Sequence, residues 1–409
     1  MTNEQLILKL SSLEQTFLKQ KIDLYNFSYQ ETKQLIEMAI DLEMWDEKTL
    51  SKLWDDSKKD KLQGKNLRTA LLKHIKTYYL ELKNSPNSYK NFTQTKIKAP
   101  KIKLASEDKK DLGFGICPVA SPKTRCCNLM TLDVVESCGF DCSYCSIQSF
   151  YNEGKITFDT SLKEKLEQIK LDKNELYHIG TGQSSDSLMW GNRFDNLEHL
   201  VDFARKNPNV MLEFKTKSDN ISYFLQQKNL PKNLLFTWSL NPQIIIDKEE
   251  HLTASLEDRL SSAKKLQEHG CLVGFHFHPM IYIENWQDEY GAIFEKLLFM
   301  FDPKKVALIS FGTLTFIKPI IKLIRQRDFK TKILQIPLID ANGKFSYPQD
   351  IKKEMFKFAY DSFPPWHKEV YFYMCMEDPK LWKEVFGYEY PTNESFEMDM
   401  KFSYIRKIL

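Results

Sequence analysis

The spacing of apolar residues divides the chain into a helical first quarter and a longer part in which strand-like and helical runs alternate. Three stripes in the first quarter have helical spacing. They consist of Leu6, Leu10, Leu13 and Phe17; Leu35, Ala39 and Leu42; and Leu67, Leu71, Ile75, Tyr78 and Leu82. The second stripe follows Ser28-Tyr-Gln-Glu31, which has the form of a capping box. We therefore predict a helical domain over residues 1–88.

From residue 129 onward the pattern changes to short apolar runs separated by amphipathic stretches. The strand-like runs are residues 131–135, 176–179, 210–214, 234–238, 272–283 and 306–309. Helical stretches lie between most of them, such as 197–205 and 255–269, the second of which ends at Gly270. Strands that alternate with helices form parallel sheets. Eight such units occupy about 250 residues in a full barrel, so residues 129–325 fit a partial (β/α)6 barrel.

The remaining segments complete a predicted organisation in four parts. Residues 89–128 are a linker and lead-in, and residues 326–409 form a C-terminal hairpin and cap. Asn342-Gly343 is a type I′ turn signal for a hairpin within residues 333–347. The basic run 96–103 has the charge of a phosphate contact, but a solvated linker has the same composition.

Charge and cysteine content indicate the cellular compartment but do not identify a binding partner. With 58 basic and 55 acidic residues the net charge is only +3, so composition alone does not argue for nucleic acid. No long apolar segment predicts a membrane span. Eight cysteines without a secretory signal indicate a reducing compartment, and we expect a cytoplasmic protein.

Three of these cysteines stand close together in Cys138-Gly-Phe-Asp-Cys142-Ser-Tyr-Cys145. A four-iron cluster normally takes four thiolates, so three would leave one iron open to an outside ligand. A structural zinc site is the alternative, but zinc usually has four protein ligands in two pairs. The spacing therefore favours a [4Fe-4S] cluster with an open iron.

Polar residues follow each of the six predicted strands. They begin at Cys138, Gly180, Lys215, Ser239, His276 and Ser310. Because catalytic groups in (β/α) barrels lie at the carboxyl ends of the strands, we expect these segments to form one site. His276 and His278 are two residues apart on a strand and share a face. They are candidates for orienting a substrate or moving a proton, or they are satisfied core groups.

The CxxxCxxC spacing resembles the signature of the radical S-adenosylmethionine (SAM) superfamily. The segments GTGQSSDS, EFKTKSDN, TWSLNPQIII and GFHFHPMIYIENW, in that order behind it, are similar to the spore photoproduct lyase family over residues 115–350. The resemblance implies a [4Fe-4S] cluster, SAM, an electron donor such as flavodoxin or ferredoxin, and a DNA lesion as substrate. It also implies roles for eight residues: Cys138, Cys142 and Cys145 hold the cluster, Lys217 pairs with the SAM carboxylate, and Ser185, Asp186, Ser239 and Asn241 contact SAM.

The chain departs from the family pattern at two positions. Gln183, which we group with the residues lining the cofactor site, stands where the repair enzymes have a cysteine that donates a hydrogen atom. Ser146 replaces a relay tyrosine, so Tyr144 alone remains of that pair. A substitute donor is Cys375 or a tyrosine in the aromatic segment 366–382, and Cys117, Cys126 and Cys127 are further thiols before the first strand.

The predicted function is that of a radical SAM, lyase-like enzyme in which a 5′-deoxyadenosyl radical abstracts hydrogen, with DNA photoproduct repair as the expected reaction. The candidate catalytic residues are Tyr144, His276, His278 and Cys375. One alternative is a radical SAM enzyme that acts on a nucleotide, peptide or small metabolite. The other is a nucleic-acid-binding protein stabilised by zinc.

Overall fold

The computed structural model describes residues 2–56, 62–94, 102–117, 124–145, 154–341 and 343–409. Its contacts divide the chain into two compact units. The first comprises Met1–Lys98, Tyr282–Glu284 and Thr315–Pro348, and the second comprises Ala99–Ile281, Asn285–Leu314 and Gln349–Leu409. This division groups residues by contact, so the linear domain boundaries inferred from the sequence stay a prediction.

The elements are numbered in chain order. The helices are α1 (Asn3–Ile7), α2 (Ser12–Tyr25), α3 (Tyr29–Met44), α4 (Leu50–Leu53), α5 (Gly64–Asn84), α6 (Leu162–Gln168), α7 (Asn196–Lys206), α8 (Ser222–Leu225), α9 (Gln243–Glu249), α10 (Leu256–Glu268), α11 (Trp286–Met300), α12 (Lys318–Ile324), α13 (Gln349–Asp361), α14 (Pro379–Phe386) and α15 (Asn393–Ile405). The strands are β1 (Lys103–Glu107), β2 (Phe114–Ile116), β3 (Met130–Leu132), β4 (Val135–Glu136), β5 (Asp141–Cys142), β6 (Lys155–Asp159), β7 (Tyr177–Thr181), β8 (Val210–Thr216), β9 (Leu234–Ser239), β10 (Glu250–His251), β11 (Leu272–Met280), β12 (Val306–Thr313), β13 (Thr315–Phe316), β14 (Ile339–Ala341), β15 (Lys344–Ser346) and β16 (Tyr371–Met374).

The first unit contains helices α1 to α5, as the apolar stripes predict. The first stripe is shared between α1 and α2, because the Ser11 side chain accepts the Glu14 N–H and starts a new helix. The capping box predicted at Ser28 and Glu31 is present at the start of α3. Inside this unit the Arg325 guanidinium donates two 2.7 Å hydrogen bonds to the buried Asp41 carboxylate. This pairing neutralises a charge that would otherwise be costly to bury.

The predicted C-terminal hairpin is confirmed and lies in the first unit. Strands β14 and β15 pair antiparallel with Ala341 opposite Lys344. Gly343 has a φ of 84°, a conformation that a type I′ turn requires and that glycine adopts without strain. Asn342, the other predicted turn residue, lies outside the described residues, as do residues 96–101 of the basic run.

The second unit is built on an eight-stranded sheet that confirms the predicted partial barrel. Its strand order is β16-β12-β11-β9-β8-β7-β3-β2. The six predicted strands run parallel as β3, β7, β8, β9, β11 and β12. Strand β2 pairs antiparallel with β3 at one edge, and β16 pairs parallel with β12 at the other. The segment predicted as a cap therefore also supplies an edge strand.

The strands of this sheet are apolar and buried, and the helices that follow them cover its outer face. Every residue of β12 is buried, and β8 and β9 are buried apart from one half-exposed position each. The helix predicted at 255–269 is α10, which begins after the N-cap Ser255 and is followed by Gly270 with a φ of 94°. Within the described ranges, no helix has the length and apolar composition needed to cross a membrane.

Candidate active site

The cysteine segment is held at the barrel through a short strand pairing. Cys142 lies in β5, which pairs antiparallel with β10 so that Cys142 is opposite Glu250. Next to it, the Ser143 N–H donates to the Glu249 carbonyl at 2.8 Å. Cys142 is buried, and Cys138 and Cys145 are half-buried. The segment that carries the three thiols is thereby fixed to the strand after α9.

The three thiols lie close enough to influence one another's ionisation. Burial raises the pKa of Cys138 and of Cys142, and the other thiols of the set raise both further, while the Lys217 ammonium lowers them. Thiolates are the ligands of iron–sulfur clusters, and a bound metal supplies the positive charge that stabilises them. In the described part of the chain, no group of three or more His, Cys, Asp or Glu side chains is placed to hold a single metal ion. Three soft donors beside a cation fit an iron–sulfur cluster with an anionic outside ligand.

Glu250 is the centre of a buried polar cluster behind these cysteines. Its Oε1 accepts hydrogen bonds from the Tyr144 hydroxyl and from Asn241 Nδ2, the latter at 2.8 Å. Arg259 Nη2 lies 2.7 Å from its Oε2, and both side chains are fully buried. Burial alone would raise the pKa of Glu250, but Arg259, Lys217 and the two hydrogen bonds hold it at about 2. A fixed negative charge therefore lies directly behind the cysteine segment.

Asp186 organises the loop after β7. Its Oδ1 accepts the N–H groups of Leu188 and Met189 at 2.9 and 3.0 Å and the Thr216 hydroxyl at 2.8 Å. Its Oδ2 accepts the Lys217 N–H at 2.7 Å. The carboxylate thus joins the loop after β7 to the end of β8, where the Lys217 side chain begins.

The hydroxyl of Ser185, the residue before Asp186, is buried without a hydrogen-bond partner. It lines a cleft with an empty volume of about 340 Å³, open solvent included. A buried hydroxyl without a partner costs free energy. A ligand with an oxygen or nitrogen atom that reaches Ser185 would remove that cost.

The cysteine segment also packs against the loop after β7. The Gly139 N–H points to the Met189 sulfur at 3.3 Å. A Cβ at Gly139 would lie 2.4 Å from Met189 Cε and 2.8 Å from the Trp190 ring. Because this approach leaves no room for a side chain, glycine at position 139 lets the segment lie flat on the two residues.

The inner face of the sheet carries a second polar group, centred on Glu213 of β8. His276 Nε2 and Thr237 Oγ1 lie 2.8 and 2.7 Å from its Oε1, and His178 Nε2 lies 2.8 Å from its Oε2. Burial alone would raise the pKa of Glu213, but Lys215 and the two imidazoles hold it well below its usual range. Burial lowers the pKa of His276. His276 is thus a hydrogen-bonded partner of a buried carboxylate.

His278 lies two residues further along β11 on the same face. Its ring covers Gly312, where a Cβ would lie 2.6 Å from the imidazole. Burial and the neighbouring charges of His276, Lys215, Lys217 and Lys352 lower the pKa of His278 to about 3. The imidazole is therefore neutral near pH 7 and can accept or donate a hydrogen bond without carrying a charge.

Cys375 follows the edge strand β16, and its N–H donates to the Phe311 carbonyl of β12 at 2.9 Å. Burial raises the pKa of its thiol to about 12. A hydrogen-atom donor must carry its hydrogen, and a thiol with this pKa stays protonated at neutral pH. Burial is the largest cause of this shift; Cys126 raises the pKa further, and Lys215 lowers it.

The structure brings most of the predicted site residues into the second unit, and some of them have partners within the chain. The side chains of Tyr144 and Asn241 are engaged with Glu250, and Asn241 Oδ1 also accepts the Tyr290 hydroxyl at 2.8 Å. The Ser239 carbonyl accepts Arg259 Nη1 at 2.8 Å. Gln183 is half-buried in the loop after β7. Ser146 lies outside the described residues. The roles assigned to these residues from the sequence stay predictions.

Three buried charged residues of the site were missed by the sequence reasoning. The sequence contained a signal for Glu213, because an acidic residue within an apolar strand needs hydrogen-bond or charge partners when it is buried. Glu250 and Arg259 had none, because one follows a helix and the other lies on an otherwise ordinary amphipathic helix. Their pairing arises only when β10 and α10 meet.

The chain resembles known proteins over its middle part. A family model described as spore photoproduct lyase matches residues 123–348, which is more than half of the chain. The spore photoproduct lyase of Clostridium acetobutylicum is 29% identical over 171 residues, covering 40% of this chain and 50% of the relative. That of Bacillus subtilis is 24% identical over 203 residues, covering 48% and 59%. The chain thus matches about half to three fifths of the length of these curated relatives.

Solved structures of spore photoproduct lyase share the fold. A double mutant of that enzyme with bound AdoMet and dinucleoside spore photoproduct has a TM-score of 0.56 and 20% identity, covering 66% of this chain and 81% of that chain. The enzyme complexed with dinucleoside spore photoproduct has a TM-score of 0.56 and 21% identity, covering 66% and 82%. With the match of the family model, these findings show that the chain belongs to the spore photoproduct lyase family of radical SAM proteins.

Proposed function

We propose that the chain is a radical SAM enzyme that abstracts a hydrogen atom from a photoproduct in DNA and thereby starts its repair. The observation that carries the proposal is the grouping of the Cys138, Cys142 and Cys145 thiols with the Lys217 ammonium in the second unit. Membership of the spore photoproduct lyase family supports the substrate class.

The three cysteines would hold a [4Fe-4S] cluster with one open iron. When bound, the cluster supplies the electron that cleaves SAM to methionine and a 5′-deoxyadenosyl radical. The buried Glu250 and Arg259 hold the cysteine segment from behind through Tyr144 and the pairing of β5 with β10. We expect an electron donor such as flavodoxin or ferredoxin to reach the cluster.

Lys217 would bind the carboxylate of SAM. Its ammonium lies 5.9 Å from the centre of the Tyr144 ring, and Asp186 holds its backbone in place. A charge-assisted hydrogen bond in a partly buried site is roughly twice as strong as a neutral one. The Ser185 hydroxyl, which has no hydrogen-bond partner, would accept or donate at the methionyl end. Gln183 and Ser239 are further candidates, whereas both polar atoms of the Asn241 side chain are taken by Glu250 and Tyr290.

The return of a hydrogen atom to the product requires a donor other than residue 183. A glutamine amide holds its hydrogen too strongly to serve. Cys375 meets the requirement, because burial raises the pKa of its thiol to about 12 and the thiol therefore stays protonated near pH 7. We assign Cys375 the role of donor and His278 the role of orienting the substrate. Both ring nitrogens of His276 are already taken by Ser310 and Glu213, so His276 would act by holding those two residues in place.

A second candidate is a radical SAM enzyme that acts on a nucleotide, peptide or small metabolite. It is favoured by the ion pairing of two basic residues near the hairpin of β14 and β15 with carboxylates of the first unit. Lys332 is paired with Glu47 at 2.6 Å, and Arg325 is paired with Asp41. A DNA-binding surface usually requires several lysines or arginines free to contact phosphates.

Anaerobic reconstitution of the full chain with iron, sulfide, SAM and a reductant tests the proposal. We expect deoxyadenosine to form, and to form faster when ultraviolet-damaged DNA is present than with undamaged DNA. The variant Cys142→Ala should lose the iron–sulfur absorption and both activities, whereas Cys271→Ala, which changes a buried cysteine at the start of β11, should keep them. Deoxyadenosine formation that ignores damaged DNA would favour the second candidate, and the absence of any SAM cleavage would refute both.

A further inference from the structure

Lys215 is a second lysine on the inner face of the barrel, and the proposed binding of SAM does not use it. It lies on β8 two residues after Glu213, so the two side chains share a face of the sheet. A Cβ at Gly180 of the neighbouring strand β7 would lie 3.5 Å from Lys215 Cε. The lysine side chain therefore extends over a position where β7 carries no side chain.

The ammonium of Lys215 has N–H groups that donate no hydrogen bond to the described residues. Its ion pair with Glu213 Oε2 has a distance of 3.7 Å, longer than a hydrogen bond, and the side chain is 25% exposed. Among the described residues it donates no hydrogen bond, while both carboxylate oxygens of Glu213 are occupied by His178, His276 and Thr237. An ammonium group has three N–H donors, and these need acceptors from solvent or from a ligand.

Lys215 keeps its positive charge, and the negative charge of Glu213 balances it. Burial alone would lower its pKa, but Glu213 and the nearby thiols of Cys127 and Cys375 raise it. The lysine therefore stays protonated near pH 7. Glu213 is ionised, so the pair together carries no net charge. A ligand that accepts from Lys215 while remaining neutral keeps this balance, whereas a phosphate would add an uncompensated negative charge.

We propose that Lys215 donates a hydrogen bond to a carbonyl oxygen of the pyrimidine lesion. This inference rests on the proposed function and assigns a substrate-binding role that the match to the family does not supply. A pyrimidine lesion presents neutral carbonyl oxygens, which suit the ammonium–carboxylate pair.

The test compares variants on two forms of the lesion, the dinucleoside spore photoproduct and its counterpart joined by a phosphodiester. Because a hydrogen bond to a charged donor contributes about 1.5–3 kcal/mol, Lys215→Met should raise the KM for both forms by about 10- to 100-fold. Lys215→Arg, which keeps the charge, should recover part of the loss. Deoxyadenosine formation in the absence of substrate is measured alongside for each variant, so that a loss of SAM cleavage is distinguished from a rise in KM.

Two further variants separate binding from folding. Lys206→Met removes an exposed lysine of α7 that pairs with Glu167 and should leave the KM unchanged. Glu213→Gln combined with Lys215→Met removes both charges, so no buried carboxylate is left without a counter-charge, and its KM should stay raised. If the single variant loses iron or SAM binding, the KM of the double variant shows whether Lys215 contributes to substrate binding.

Vibrational spectroscopy gives a readout that a purely structural role would not change. The carbonyl stretch of a ¹³C-labelled lesion should lie at a lower frequency in the wild type than in Lys215→Met, because the ammonium polarises the carbonyl. An unchanged KM, or a rise in KM confined to the phosphodiester form, would overturn the proposal. If the wild type shows no SAM cleavage that depends on the lesion, the proposed function itself fails, which is a different result.

Discussion

Glu250 lies opposite Cys142 in the antiparallel pairing of β5 with β10, and its carboxylate is 2.7 Å from the Arg259 guanidinium. One side of this glutamate thus faces the proposed cluster segment and the other faces a buried cation. Arg259 is further held by the carbonyls of Ala254 and Ser239 at 3.0 and 2.8 Å. The position of the cysteine segment therefore depends on an ion pair between a strand and a helix that lie far beyond it in sequence.

Replacing Glu250 by glutamine should destabilise the protein strongly. Arg259 is fully buried, and removing one partner of a buried ion pair typically costs 3–5 kcal/mol. We expect the free energy of unfolding in urea to fall by about that amount and the reconstituted iron content to fall with it. Glu257→Gln is the matched control, because the side chain of Glu257 is 68% exposed and that of its partner Lys296 is 50% exposed. A change of no more than about 0.5 kcal/mol is expected for the control.

Replacing Lys217 by methionine should weaken SAM binding without loss of the cluster. The lysine is expected to contribute one charge-assisted hydrogen bond, so the Kd for SAM should rise about 10- to 100-fold. Calorimetric titration of the anaerobic protein measures the Kd, and iron analysis monitors the cluster. An unchanged Kd would remove Lys217 from the site, and a loss of iron would show that the lysine has a structural role instead.

Replacing Cys375 by alanine should separate the two hydrogen transfers. Abstraction from the lesion does not require the thiol, so deoxyadenosine should still form and the lesion should still be consumed. The yield of repaired product should fall by about tenfold or more, equivalent to about 1.4 kcal/mol, because no thiol returns the hydrogen atom. Cys271→Ala serves as the control. A normal yield from Cys375→Ala would assign the transfer to another residue.

His278 should make stability depend on pH in a mildly acidic range. Its folded pKa of about 3 lies below the ordinary value of 6.5. Above pH 6.5 the imidazole is neutral in both states and contributes no pH dependence, whereas below it only the unfolded state gains the proton. Stability should therefore fall as pH decreases from 6.5, by at most about 1.4 kcal/mol per pH unit.

The variant His278→Gln should remove that part of the slope. Denaturant unfolding of the metal-free protein between pH 7 and 5 measures it, because cluster loss then does not contribute. His74→Gln changes an exposed histidine of α5 and should leave the slope as in the wild type. Equal slopes for all three proteins would show that His278 is protonated alike in the folded and unfolded states.

Replacing Gly139 by alanine should disturb the cysteine segment. The new Cβ would lie 2.4 Å from Met189 Cε and 2.8 Å from the Trp190 ring, and overpacking of this kind costs about 1–3 kcal/mol. The methionine end can move aside but the indole cannot do so as easily, so we expect lower iron retention on gel filtration. Gly115→Ala is the control, since nothing lies within 4 Å of a Cβ at that position.

Several parts of the fold and site followed from local patterns alone. The capping box at Ser28, the hairpin around Gly343 and the parallel strands of the barrel were predicted, because capping, turn formation and strand alternation depend on residues near one another in sequence. The placement of polar residues after each strand likewise indicated where a site would form. In contrast, the predicted cap omitted the edge strand β16, since its neighbour β12 is about 60 residues earlier and pairing over that distance leaves no local signal.

By itself the sequence determined the spacing of the three cysteines, the order of the barrel strands and helices, and the strand face that His276 and His278 share, because all of these depend on short-range periodicity. Only the tertiary structure decided which charges would be buried together. Glu250 pairs with Arg259, and Glu213 pairs with two histidines. A charge can be buried only where the fold brings a partner from a distant segment within a few ångströms.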